Sequence, residues 1–166
     1  MFGKTDSMRE GYDTMEVCLN GHQITDMAVS QPISRQPFCS KCGSATITGC
    51  TQCQRLIRGH RHIPGVFSVH RTPVPKYCID CGTPYPWQTA AIQNFNEILH
   101  ETDLTEQQLA EAEKALPDVI QDGPKTEIAS MRLGKVLKSL QKPAYDIAVK
   151  VVTDIASDTA KKIMGL

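Results

Sequence analysis

Phe38-Cys39-Ser40-Lys41-Cys42-Gly43-Ser44-Ala45-Thr46-Ile47-Thr48-Gly49-Cys50-Thr51-Gln52-Cys53 is the stretch that decides how this chain folds. It holds two Cys-x-x-Cys pairs separated by seven residues. A pair with two intervening residues closes a tight turn and brings both sulfurs to one side of the backbone, the arrangement a tetrahedral metal ion requires. Two further pairs flank the stretch. Cys18 precedes it with His22 four residues on, and Cys78-Ile79-Asp80-Cys81 follows it. All seven cysteines, with one histidine, therefore sort into four pairs in the first half of the chain, giving eight donors for two ions.

The gaps between pairs indicate which ones share an ion. Sixteen residues separate His22 from Cys39 and twenty-four separate Cys53 from Cys78, the larger gaps over which a zinc ribbon joins two turn-borne pairs. Sequential pairing assigns Cys18, His22, Cys39 and Cys42 to one Zn²⁺, and Cys50, Cys53, Cys78 and Cys81 to a second. An interleaved, RING-like pairing is the alternative, and the seven-residue connector fits it poorly. The all-cysteine set also suits a rubredoxin-like iron. His60, His62 and His70 read as loop residues rather than ligands. Gly43 and Gly82, each directly after a pair, suit a chain reversal at positive φ. Gln54 after Cys53 predicts a looser turn there, and Asn20-Gly21 suits a turn before His22.

The remaining composition sets limits. An odd cysteine number in 166 residues argues against a disulfide framework and for reduced thiols. The start, Met1-Phe2-Gly3-Lys4-Thr5-Asp6, lacks the apolar core of a secretory signal, and no run is long and apolar enough to cross a bilayer. The expectation is a soluble, cytoplasmic protein with no membrane partner. Formal net charge is zero, but residues 27–79 contain seven Lys or Arg and no acid, while 80–122 contain nine acids and one lysine. Arg55, Arg58, Arg61, Arg71 and Lys76 are candidate phosphate contacts, with Phe67 and Tyr77 the aromatic residues available for stacking. Thiolate ligation weakens this basic stretch, since seven thiolates and two Zn²⁺ together carry a charge of about minus three.

Between Val17 and Trp87 the chain is rich in Gly, Pro, Ser, Thr and Cys, with short apolar runs at 45–47 and 66–69 that fit brief strands. Beyond Thr89 the period becomes helical. A first helix over roughly 89–100 aligns Ile92, Phe95 and Leu99. A second starts at Thr105, whose partner Gln108 completes a capping box, with Leu104 stapling against Leu109. Pro117 kinks or ends it. A third carries Ala129, Leu133, Val136, Leu137 and Leu140. The last, from about Pro143 to Met164, sets Asp146, Lys150, Asp154 and Asp158 toward water and buries a face that includes Ile147 and Ile163. The expected class is α+β: a flexible leader at 1–16, a double zinc ribbon of short hairpins and metal turns at 17–87, and an α-helical domain of about four helices at 88–166.

The segments Val17-Cys18-Leu19-Asn20-Gly21-His22, Phe38-Cys39 with Cys42-Gly43, Ile47 with Cys50 and Cys53, Ile57-Arg58-Gly59 and Tyr77-Cys78 with Cys81-Gly82-Thr83-Pro84-Tyr85-Pro86-Trp87 resemble an uncharacterised bacterial family catalogued as a domain of unknown function. The resemblance runs from Val17 through the helical tail. It implies tandem zinc ribbons with non-catalytic zinc, and no reaction. The residues themselves offer no phosphate loop, no Gly-x-Ser-x-Gly elbow and no His-Glu-x-x-His helix. They point to an interaction or adaptor protein with an unidentified protein partner. Nucleic acid is the alternative partner, and electron transfer through iron is a third reading.

Overall fold

The computed structural model describes residues 11–66 and 70–166. The chain is α+β and divides into two compact units, the first ending at Thr89 and the second running Ala90–Leu166. No helix among the described residues is long and apolar enough to cross a membrane.

Among the described residues the first unit contains five short strands: β1 (Gly11–Thr14), β2 (Glu16–Cys18), β3 (Gln23–Thr25), β4 (Thr46–Ile47) and β5 (Arg58–His62). β2 is the centre of an antiparallel sheet of order β3-β2-β4, and every residue of it is buried. It pairs Val17 with Ile47 and Cys18 with Thr46. β1 pairs with β5, Tyr12 opposite Arg61 and Thr14 opposite Arg58. The flexible-leader expectation is thus corrected from Gly11 onward: 11–14 form a strand, Met15 is fully buried and Glu16 nearly so. Residues 1–10 lie outside the described residues, as do Phe67, Ser68 and Val69 of the expected 66–69 strand.

The core of this unit is small, built on Met15, Val17, Ile57 and Tyr85 with Cys50 and Cys78, and Ile47, Val74 and Trp87 pack against it. Three buried carboxylates add polar stitching. Asp13 accepts backbone N–H groups from Val29 at 2.9 Å and Ser30 at 3.1 Å, as well as Thr14, and its Oδ2 lies 3.2 Å from His62 Nε2. Glu16 accepts from the Thr46 hydroxyl at 3.0 Å and the Gln36 N–H at 3.3 Å. Asp26 accepts from the Thr72 N–H at 3.0 Å. Through the N–H groups of Val29 and Ser30, of Gln36 and of Thr72, each side chain ties in a backbone segment outside the strand ladders. Trp87 stacks on Tyr85 at 4.7 Å between centroids and donates to the Pro75 carbonyl at 2.9 Å, and both of these contacts lie within the first unit.

Five helices follow: α1 (Pro86–His100), α2 (Glu106–Ile120), α3 (Thr126–Ser139), α4 (Ala144–Ile155) and α5 (Asp158–Met164). α1 starts three residues before its sequence expectation, its proline at the first position, where a missing N–H does no harm. Thr105 caps α2 through the reciprocal box with Gln108, and α2 continues through Pro117. The second core unites Phe95, Leu99, Leu116, Val119, Leu133, Val136, Leu137, Val152 and Ile155, with Leu104 and Leu109 packed against it.

The expected single last helix is two. Ala156 is extended at ψ 152°, and the Ser157 side chain accepts the Ala160 N–H to start α5. A serine in this run offers the backbone a cap, and the cap wins over continuity. Asp146, Lys150, Asp154 and Asp158 are exposed as expected. Ile147 and Ile163, expected inside, are 51% and 39% exposed.

Candidate metal centres

Three of the four pairs sit on the same turn, repeated residue for residue. In the turn at Cys39, its N–H donates to the Ser44 carbonyl at 2.8 Å and its own carbonyl accepts from the Gly43 N–H at 2.8 Å. The turn at Cys50 repeats this with Arg55 and Gln54 at 2.8 and 2.9 Å, and the turn at Cys78 with Thr83 and Gly82 at 2.9 Å each. An isolated bridge closes each mouth: Phe38 with Ala45, Gly49 with Leu56, Tyr77 with Pro84. The fourth residue after each leading cysteine takes positive φ, at 71° for Gly43, 70° for Gly82 and 63° for Gln54. The looser turn expected at Cys50 is therefore corrected. Gln54 adopts the same left-handed conformation without being glycine, and the hydrogen bonds are equally short.

Cys18 and His22 ride on a different element, the reversal between β2 and β3, where Gly21 has φ 84°. β2–β4 pairing then carries Cys18 alongside the 39–44 turn, with the Leu19 N–H donating to the Ala45 carbonyl at 3.0 Å. The structure brings together Cys18, His22, Cys39 and Cys42 in one cluster and Cys50, Cys53, Cys78 and Cys81 in another, the donor atoms of each lying within 4.8 Å of one another. No cysteine is in a disulfide.

The separations are diagnostic. A metal about 2.3 Å from sulfur and about 2.0–2.1 Å from nitrogen sets S···S near about 3.8 Å and S···N near about 3.6 Å in a regular tetrahedron. Cys18 Sγ lies 3.8 Å from Cys42 Sγ, and His22 Nδ1 lies 3.5 Å from Cys18 Sγ and 3.6 Å from Cys39 Sγ. In the second cluster Cys50 and Cys81 sulfurs are 3.7 Å apart, and those of Cys53 and Cys78 are 3.6 Å apart. These are tetrahedron edges. Either cluster could hold a metal ion with four protein donors.

Outer contacts favour the anionic form of several sulfurs. The His22 N–H points at Cys18 Sγ at 3.3 Å, and the Gln52 N–H at Cys50 Sγ at 3.4 Å. Asn20 Nδ2 reaches Cys42 Sγ at 3.5 Å and Ser44 Oγ at 2.9 Å. The Ser44 N–H and then its hydroxyl pull the Cys42 thiol down to about 5, and the Thr83 hydroxyl and then its N–H pull Cys81 down to about 6. Cys53 goes the other way. The Arg55 N–H favours its thiolate, but desolvation and the sulfurs of Cys81, Cys78 and Cys50 outweigh that donor and push it up to about 12. Burial, helped by Cys42 and Cys39, raises Cys18. Four sulfurs this close cannot all ionise without a cation among them.

The basic candidates divide. Arg55 and Arg58 line one open cleft of about 320 Å³ with Tyr12, whereas Arg71 lines another of about 440 Å³ with Asp26, His60 and His70. Arg58 and Arg61 both stand over the Tyr12 ring, at 4.9 and 5.9 Å from its centroid. Lys76 is half-buried and its carbonyl accepts the Tyr85 N–H. Tyr77, a candidate stacking residue, is also half-buried, with its hydroxyl enclosed. Phe67 lies outside the described residues. Tyr12 is the aromatic residue that sequence reasoning missed. It falls in a stretch read as leader, and only the pairing of β1 with β5 puts it beside the arginines.

Fold and site together define a two-centre Cys/His protein with a helical second unit. The family described as an uncharacterized protein conserved in bacteria, DUF2321, matches residues 11–164, and the chain belongs to it. Comparison with curated proteins and with solved structures finds no match.

Proposed function

We propose that the protein is a non-catalytic interaction protein in which each centre holds one structural Zn²⁺, the two forming tandem zinc ribbons that act as a rigid recognition platform. The observation that carries this reading is the set of tetrahedral donor separations, with four protein ligands per centre. Four protein donors complete tetrahedral zinc, whereas a catalytic zinc keeps one position for water or substrate. Three cysteines with one histidine form a familiar structural zinc set. The small core supports the same conclusion, because a unit with few large buried side chains needs metal staples to hold one conformation. Thiols arranged as ligands rather than disulfides suit a reducing compartment, and we place the protein in the cytoplasm.

Zinc would supply binding free energy of order 10 kcal/mol to folding of this unit. The residues around it fix the donors: Asn20 holds Cys42, Gly43 and Gly82 turn the chain, and the β2–β4 pairing joins the two halves of the first centre. Elemental analysis and native mass spectrometry of the purified chain test the reading. Two zinc ions per chain, retained through gel filtration, are expected. Iron at the all-cysteine centre, visible as colour, would replace the scaffold reading with electron transfer.

A further inference from the structure

We infer that the partner of this platform is single-stranded nucleic acid, bound on the exposed face of the paired strands β1 and β5 by Tyr12, Arg55, Arg58 and Arg61. The inference rests on the interaction-protein reading and names its partner class.

Geometry makes the case. Tyr12 is a large aromatic side chain that is 54% exposed on a strand whose next residues, Asp13 to Cys18, are all buried. The guanidiniums of Arg58 and Arg61 lie 4.9 and 5.9 Å from its ring centroid, within cation–π range. Tyr12 pairs with Arg61 and Thr14 with Arg58, so a two-residue step along β1 is matched by a three-residue step along β5. In a regular strand positions 58 and 61 point to opposite faces. The irregularity re-aims one of them, and both arginines reach the same ring.

Gly59 makes this possible. A Cβ there would collide with the Asp26 carbonyl and the Thr14 backbone, so only glycine lets β5 lie this close. The Arg58-Gly59 step is thus built into the chain where the bend occurs.

The resulting surface has the two properties that single-stranded nucleic acid requires. A guanidinium against a tyrosine ring, as that of Arg58 is, can direct its N–H edge to phosphate and offers a planar face on which a base can stack. Arg55 adds a third charge beside the cleft. Its pairing with Asp80 at 3.6 Å, both side chains about half exposed, is a weak surface pair that a phosphate can displace. No acid occurs anywhere from residue 27 to 79. An acidic peptide would satisfy the charges but leave the ring and guanidinium planes unused.

Fluorescence anisotropy of the full chain, with metal content verified in each preparation, tests this against fluorescein-labelled oligothymidylate, oligouridylate, a duplex of equal length and a poly-aspartate peptide. The expected result is binding of a single strand, of either sugar, in preference to duplex and peptide. Affinity should fall as salt rises, with a log–log slope of about −1.4 for two phosphates held by Arg55 and Arg58. Tyr12→Ala should weaken binding roughly ten-fold, and Tyr12→Phe should retain it. Arg58→Lys keeps the charge but not the plane, and should also lose affinity. Arg71→Gln should bind like the wild type. Circular dichroism and metal content identify any variant that misfolds, and Arg58→Lys and Tyr12→Phe then decide the matter. Metal-replete protein that fails to bind a single strand at low salt would overturn the inference, as would equal binding of peptide and oligonucleotide. Neither result touches the metal reading, which fails separately if the purified chain lacks zinc.

Discussion

Asp13 shows how much a single side chain does in a unit with so little core. Desolvation raises its pKa, yet donors from Ser30, Val29, Thr14 and His62 outweigh that and hold the carboxyl below its ordinary value. Because the folded pKa lies below the unfolded one, the stabilisation is fully present above about pH 4 and vanishes only as pH falls through the folded value. Asp13→Asn should therefore destabilise by about 1–3 kcal/mol in urea denaturation at pH 8, because buried N–H donors lose a charged acceptor. Cys39→Ser acts differently. It removes one of four donors, so the first centre should lose its metal and the unit its cooperative unfolding, read as one zinc fewer per chain and a lost thermal transition. The eight donors were legible from spacing alone, since a metal turn is local and its residues announce it. Asp13, Glu16 and Tyr12 were not, because, the adjacent Thr14 aside, these partners lie 16 to 49 residues away and no local pattern encodes them.

At the scale of elements, the repeated turn makes a direct comparison. Gln54 occupies a left-handed position that glycine fills in the two sister turns. A non-glycine residue there costs about 1–2 kcal/mol, partly offset by the chain entropy glycine forfeits. Gln54→Gly should thus stabilise the zinc-loaded protein by about 0.5–1 kcal/mol, read as a higher urea midpoint at unchanged slope. Gly59→Ala should do the opposite, by about 2 kcal/mol or more, since backbone rather than a flexible side chain blocks the added methyl. The helices were readable where caps and periodicity agreed, as at Thr105 with Gln108. They were misread where a cap interrupted a continuous period. Removing the Ser157 hydroxyl as Ser157→Ala should cost about 1 kcal/mol in the helical unit.

For the whole molecule, the division at Thr89 separates two sources of stability. The Ala90–Leu166 unit has a hydrophobic core built from five helices, while the first unit relies on two donor clusters and a handful of buried residues. Chelation should consequently unfold the first unit and leave much of the helical circular dichroism intact. Acid should act in the same direction as chelator. Thiolates must be deprotonated and His22 neutral to bind, so lowering the pH from about 7.5 to about 5 should release metal progressively, measured with a chromogenic chelator. The change of composition at Pro86-Trp87 made the two-part organisation visible in the sequence. What it hid was that the first unit begins upstream of its first candidate ligand, because β1 is short, polar and paired with a distant strand.

The central claim is that each centre is closed by four protein donors around one zinc. Native mass spectrometry of the intact chain with parallel elemental analysis tests it most directly. The account predicts two zinc ions per chain for the wild type, and one for either Cys39→Ser or Cys78→Ser. A wild-type chain carrying one ion or none would contradict it.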